Sequence, residues 1–263
     1  MEIVKMKYPE IKAAARRGAI ALLPTASLEQ HGSHLPVTTD TDIVTAVAKA
    51  ALEKLPAEVE VLLFPTLWLG ASYHHAYLFA ASVDEKTYIE LITDLGLSLG
   101  RAGFRKLFIL NGHGGNSPSL RIAVAHIHRQ NPELLTATAE YWSLAAAAVN
   151  KLRTTGPGGA AHAGELETSL MLHLKPETVE MEKAVASLPS WPPGFVRDLT
   201  AGGPVTVSVD WQHLSIDGPL GNPKAATSQK GEAIFDLIVE AVSRTLTDFY
   251  RLDPAKLIGG VSS

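Results

Sequence analysis

The chain contains no cysteine. Disulfides and thiolate metal ligands are therefore excluded, and a metal site would have to be made of His, Asp and Glu, a donor set that suits zinc, manganese or iron. Long apolar runs are also absent: no stretch of ~18 uninterrupted apolar residues occurs. The opening MEIVKMKYPEIKAAARRG carries charges throughout and lacks the apolar segment of a signal peptide, so the expectation is a soluble, cytoplasmic protein with no membrane attachment. Charge of one sign is lacking as well. The 23 Lys and Arg face 27 Asp and Glu with no long run of either, which gives no footprint for nucleic acid and favours a small, roughly neutral substrate.

Apolar residues make up 46% of the chain, enough to bury a sizeable core, and the expectation is one domain over residues 1–263. Short apolar runs bounded by turn residues at 19–23, 59–64, 106–110 and 134–139 read as buried strands. Between and after them, patterns with a 3.6-residue period at 43–55, 85–103, 117–129, 143–152, 165–174 and 226–250 read as helices. Strand and helix in alternation predict a three-layer α/β/α sandwich around a mainly parallel sheet. Residues 181–221 break the rhythm with Pro189, Pro192, Pro193, Gly202, Gly203 and Pro204 around a strand-like PVTVSV. That stretch reads as an excursion lying over a site or between subunits, with Trp191 and Trp211 available as contacts or a pocket wall.

In a parallel sheet ligand chemistry collects at the carboxyl ends of the strands, and three segments carry it there. SLEQHGSHLPVTTDTD follows the first strand and brings Glu29, His31, His34, Asp40 and Asp42 together beside apolar Leu28, Leu35 and Pro36. Burying carboxylates there is expensive unless a cation compensates them. Asp42 also reads as a helix cap and His34 as an ordinary hydrogen-bonded polar group. LFILNGHGGNSPSL runs a buried strand into a turn where Gly112, Gly114 and Gly115 surround His113 and allow positive φ or close approach. It lacks the Lys and Ser/Thr of a phosphate-binding loop. GPGGAAHAGELETSLMLHL sets His162 after a glycine-rich loop and opens a helix with Glu165 and Glu167. Glu167 shares a face with Met171 and Leu174 and reads as the buried carboxylate, whereas Glu165 reads as a first-turn charge and His173 lies too far along the helix to reach the site.

Together, EQHGSHLPVTTD, NGHGGN and HAGELETS, in this order, resemble the creatininase (creatinine amidohydrolase) family. The resemblance extends over roughly residues 15 to 175 and implies two divalent ions per subunit that activate water to hydrolyse a non-peptide C–N bond in a cyclic amide or formamide. It implies Glu29, His31, Asp40, His113 and Glu167 as metal ligands, with Asp40 bridging, and His162 as the catalytic proton shuttle. His34 and Asp42 occupy motif positions outside the ligand set. It also implies a homo-oligomer, commonly a hexamer.

The chain departs from the creatinine-hydrolysing members in two places. Where those enzymes carry Tyr-Glu in the second motif, with the Glu helping to hold metal, this chain has Gly114 and Gly115. Where they place a tryptophan lid and another acid before the third motif, it has Gly158, Gly159, Ala160 and Ala161. The expected substrate is therefore not creatinine, and the second metal's ligand set shifts towards Glu167. Rival readings are hydrolysis of a lactone, cyclic ketone or peptide bond by the same machinery, or a metal-binding oligomer without catalysis.

Overall fold

The four apolar runs become four parallel strands, β1 (Ile20–Thr25), β2 (Val61–Leu63), β3 (Lys106–Asn111) and β4 (Leu135–Glu140), in the order β2-β1-β3-β4. Ile20 pairs with Val61 on one side and Lys106 on the other, and Lys106 pairs with Leu135. The computed structural model describes residues 1–192, 194–195 and 198–257. Helices α1 (Tyr8–Arg16), α2 (Thr39–Glu53), α3 (Glu85–Arg101) and α4 (Ser117–Gln130) alternate with the strands. Then follow α5 (Tyr141–Leu144), α6 (Ala146–Leu152), α7 (Glu165–Leu174) and α8 (Ser228–Arg251).

Side-chain alternation along the strands divides the core between two faces. Ile20, Leu22, Phe108 and Leu110 pack with Ile43 and Val47 of α2, Leu170 of α7 and Ile238 of α8. Ala21, Leu23, Leu107 and Ile109 pack with Ala14 of α1, Ile92 of α3 and Ala123 of α4. With helices on both faces of the sheet, the central strands β1 and β3 must be apolar on both sides, which is why their runs are continuous. The edge strand β4 instead alternates Thr136 and Thr138 with Ala137 and Ala139 and is only half-buried. Lys106 adds a polar tie: its Nζ donates to the carbonyls of Phe249, Tyr250 and Leu252 at the end of α8. None of the described helices is long and apolar enough to cross a membrane.

From β1 the chain passes through α2 to β2 on one side, then through α3 back across β1 to β3 on the other. The connections after β1 and β3 thus part in opposite directions, leaving a crevice at the carboxyl ends of these two strands. The first two motifs emerge there.

Besides α1, which was not among the expected helices, the elements differ from expectation in four places. α2 begins at Thr39, not at residue 43, because Asp40 and Asp42 favour the positive end of the helix without showing an apolar period. The helix expected over 143–152 is two helices broken at Ala145, whose φ of −114° and ψ of 8° are not helical. β2 is three residues long. PVTVSV is not a strand: residues 204–209 are mostly exposed and have no ladder partner among the described residues. Pro193, one of the prolines that mark that stretch, lies outside the described residues.

Candidate metal centre

Glu29, His31 and Asp40 come from the loop after β1 and the first turn of α2, and His113 from the turn after β3. His162 precedes α7, and Glu167 lies in its first turn. All five carboxylate and imidazole groups of the expected ligand set meet in the crevice, with His162 beside them. Asp40 reaches both ways: Oδ1 stands 3.1 Å from His31 Nε2 and Oδ2 stands 3.1 Å from His113 Nδ1. His113 Nδ1 is 3.2 Å from Glu29 Oε1, and Glu167 Oε2 is 3.9 Å from His31 Nε2. His162 Nδ1 lies 3.6 Å from Glu29 Oε1.

The glycines of the second motif serve close approach. A Cβ at Gly112 would press on Val44 and the Asp40 carbonyl, and one at Gly115 would overlap His113 Nε2 and the Ala71 carbonyl. Neither glycine has a positive φ. At Gly32 the backbone itself requires glycine, with φ of +69° and Pro219 packed against the position of a Cβ. Ala163 is a non-glycine residue at positive φ, 51°, and this turn aims its N–H at Glu167 Oε2, 2.5 Å away.

Hydrogen bonds on the outer edges of the rings decide what faces inward. His113 Nε2 lies 3.3 Å from the Ala71 carbonyl and His31 Nδ1 3.2 Å from that of Glu29. A neutral His113 must donate there, which turns its Nδ1 lone pair towards the carboxylates. His31 meets an acceptor at both nitrogens, its Nε2 lying 3.1 Å from Asp40 Oδ1, so that edge opens to a metal once a cation displaces the proton it shares with Asp40. Neither oxygen of Glu29 nor Oδ2 of Asp40 has an aligned hydrogen bond, although all three are buried. Lone pairs from two carboxylates and an imidazole converging in a buried space repel one another, and a cation among them removes that cost. The geometry therefore fits a divalent metal with oxygen and nitrogen ligands.

The electrostatics agree. Burial alone would push Glu29 up, but His113 and His75 outweigh it and hold the carboxyl well below its usual range. Burial opposes protonation of His31 and His113, yet the attraction of Asp40 takes His31 up to about 9, and that of Glu29 and Asp40 takes His113 well above its normal value. Glu167 rises to about 7 through burial, which His31 offsets only in part and Asp40 reinforces. Burial, with His75 and His31 nearby, holds His162 well below its usual value. Protons on His31 and His113 thus occupy the role that a cation would take over.

Other predicted residues go elsewhere. Asp42 pairs with Lys175 at 2.6 Å and accepts from Thr38. His34 donates to Thr168, which donates to the Ala163 carbonyl. His173 packs on Phe235. Glu165 is the first-turn charge expected of it, but a fully buried one that receives hydrogen bonds from Thr154, Thr155 and Lys230. Helical spacing failed to separate Glu165 from Glu167 because α7 is buried on every side from Glu165 to Met171.

Two contributors were missed. His75, from the turn after β2, places Nε2 3.1 Å from Glu29 Oε1. The doubled histidine of SYHH after an apolar run was the available signal. Gln30, between two predicted ligands, bonds to His75. The excursion does cover the site, since Trp211 sets its ring 4.6 Å from His75 and 5.7 Å from His162, and the Leu220 N–H donates to the His162 carbonyl.

Comparison with known proteins is consistent with this arrangement. The family model described as Creatininase, creatinine amidohydrolase, matches residues 4–246. A mycofactocin precursor peptide peptidase of Mycobacterium tuberculosis is 34% identical over 228 residues, covering 83% of this chain and 81% of the relative. A creatinine amidohydrolase of Pseudomonas putida is 27% identical over 261 residues, covering 93% and 95%. The solved structure described as "Creatininase Mn" superposes with a TM-score of 0.79 at 26% identity, covering 95% of this chain and 99% of its own.

Proposed function

Since the chain belongs to the creatinine amidohydrolase family, we propose that it is a divalent-metal-dependent hydrolase of an amide C–N bond in a small molecule other than creatinine. Glu29, His31, Asp40, His113 and Glu167 would hold the ions, zinc, manganese or iron, with Asp40, whose two oxygens reach His31 and His113, as the carboxylate they would share. The observation that carries this reading is the convergence of Glu29, Asp40 and His113 with no aligned hydrogen bond to either buried oxygen of Glu29 or to Asp40 Oδ2. Bound there, divalent ions supply Lewis acidity and make water nucleophilic near neutral pH.

His162 handles the proton. Its Nε2 lies 2.8 Å from the Gln30 carbonyl and 3.2 Å from Gln30 Nε2, and the shorter contact, to an atom that only accepts, makes it the donor, so Nδ1 turns a lone pair towards the carboxylates. With its pKa held low the ring is neutral at pH 7 and free to accept. His162 Nδ1 takes a proton from the attacking water and returns it to the departing nitrogen, which amides require because an amine anion leaves poorly.

The absence of bulk at Gly114, Gly115, Gly158, Gly159, Ala160 and Ala161 supports a substrate other than creatinine. A peptide amide is the second reading, favoured by the higher identity to a peptidase, 34% against 27% for a creatinine amidohydrolase. In the same reading the protein is a cytoplasmic homo-oligomer. Exposed Tyr73 and Ile216 near the roof support association, and light scattering counts the subunits.

The test is elemental analysis of fresh protein, then a panel of formamides, lactams, lactones and short peptides with that metal restored. His162→Ala should lower turnover by about 10²–10⁴-fold with metal content unchanged. Metal loss in that variant would reassign His162 as a ligand, and metal-loaded protein inert on the whole panel would favour a non-catalytic metal-binding role.

A further inference from the structure

Two imidazoles approach Glu29 at almost the same distance, and they are not equivalent. His113 Nδ1 stands 3.2 Å and His75 Nε2 3.1 Å from Glu29 Oε1. The outer nitrogen of His113 donates to a carbonyl, which turns a lone pair inward. The outer nitrogen of His75, Nδ1, lies 2.7 Å from Gln30 Nε2, and an amide nitrogen can only donate.

The backbone decides which end of the Gln30 amide is nitrogen. Gly32 N–H donates to Gln30 Oε1 at 2.9 Å, and Nε2 faces the Gly218 carbonyl at 3.3 Å. Gly218 is shaped to this amide: its φ is +103°, and a Cβ there would overlap Gln30 Oε1. His75 therefore accepts at Nδ1 and carries its proton on Nε2, the edge that meets Glu29.

We propose that His75 is a positioning residue and not a metal ligand: locked by Gln30, it presents an N–H to the Glu29 carboxylate and a ring face to His162. The inference rests on the metal-dependent reading above. The His75 and His162 rings stack at 4.2 Å and 26°, and Trp211 stands edge-on beside both, 4.6 Å from His75 and 5.7 Å from His162. Gln30 touches both partners, since its backbone carbonyl takes the His162 Nε2 proton while its amide holds His75. Residues 30 and 75 with the 211–218 roof thus set the orientation of both the carboxylate and the proton carrier. The N–H of His75 meets Glu29 off the hydrogen-bond axis, so its contribution is mainly the pull of an oriented dipole in a dry space. Partners of this kind orient ligating groups and tune their affinity.

Two variants and one spectrum test the assignment on the full chain. His75→Phe keeps a ring against His162 and Trp211 but deletes both nitrogens, and His75→Gln keeps an N–H near Glu29. With Mn²⁺ as the probe in chelator competition, His75→Phe should bind about 10–100-fold more weakly than wild type, and His75→Gln should recover most of that loss. Long-range ¹H–¹⁵N spectra of wild-type protein should show His75 protonated at Nε2 and unprotonated at Nδ1. The inference is overturned by a Phe variant that binds like wild type, by a Gln variant no better than Phe, or by a proton found on Nδ1. Wild-type protein that takes up neither manganese nor zinc overturns the metal-dependent reading itself, while the ring spectrum still reports the state of His75.

Discussion

Glu165 and Glu167 stand one turn-step apart at the start of α7, at 0% and 4% exposure, and their surroundings make opposite acids of them. Glu165 receives the backbone N–H and hydroxyl groups of Thr154 and Thr155 together with Lys230 Nζ. These overcome burial and bring its pKa down to about 2. Glu167 receives one backbone N–H, from Ala163, and shares its space with Asp40. Burial raises both carboxylates, Glu167 from the deeper position, and the supply of donors to Glu165 reverses the sign there. A saturated carboxylate is a girder for the glycine-rich loop before His162. A carboxylate short of donors among other carboxylates is, in the proposed reading, the one kept for a cation.

The sharpest way to break this contrast is to remove the hub of the site. Asp40→Ala should empty it, weakening manganese binding more than the ~100-fold seen for outer partners of metal ligands. A fully metallated, active variant would deny Asp40 the bridging role. Next in size, Glu165→Ala should cost roughly 3–5 kcal/mol in chemical denaturation, because it removes the buried acceptor of Thr154, Thr155 and Lys230 and leaves Lys230 only the Thr154 hydroxyl and the Ala225 carbonyl. Glu167→Gln should leave the metal-free fold as stable or more so, and lose metal. If the two variants proved equally destabilised without metal, the distinction between girder and ligand would collapse.

Stability against pH in chelator-stripped protein sharpens the same contrast with a smaller signal. The folded pKa of Glu165 lies below its ordinary value of 4.5, so its stabilisation is present above pH 4.5 and is lost as pH falls towards 2. The folded pKa of Glu167 lies above 4.5, so its contribution is present below pH 4.5 and is lost as pH rises through about 7. Glu165→Gln should flatten the acid limb of the profile and Glu167→Gln the limb between 4.5 and 7. Unchanged limbs in either variant would show that other groups set them.

The candidate metal centre was legible where chemistry was concentrated along the chain. Glu29, His31 and Asp40 announce themselves because they crowd a short span after a buried strand. His75 did not, because its partner Gln30 lies 45 positions away and nothing beside it in the sequence is acidic. The burial of Glu165 was hidden for the same reason, since Lys230 reaches it from 65 positions away. The central strands were legible because burial on two faces enforces unbroken apolar runs. The start of α2 was not, because capping acids carry no periodicity, and PVTVSV showed that β-propensity without a neighbouring edge makes no strand.

The side chains of the crevice are drawn from connections that follow β1, β2 and β3 and from the opening of α7, so they meet only once distant parts of the polypeptide have closed upon one another. An ion seated among them works as a removable cross-link. It stabilises the native protein by mass action in proportion to its free concentration over its dissociation constant. Its escape requires those connections to part, so the rate at which a chelator strips the protein becomes a clock for how often the native molecule breathes.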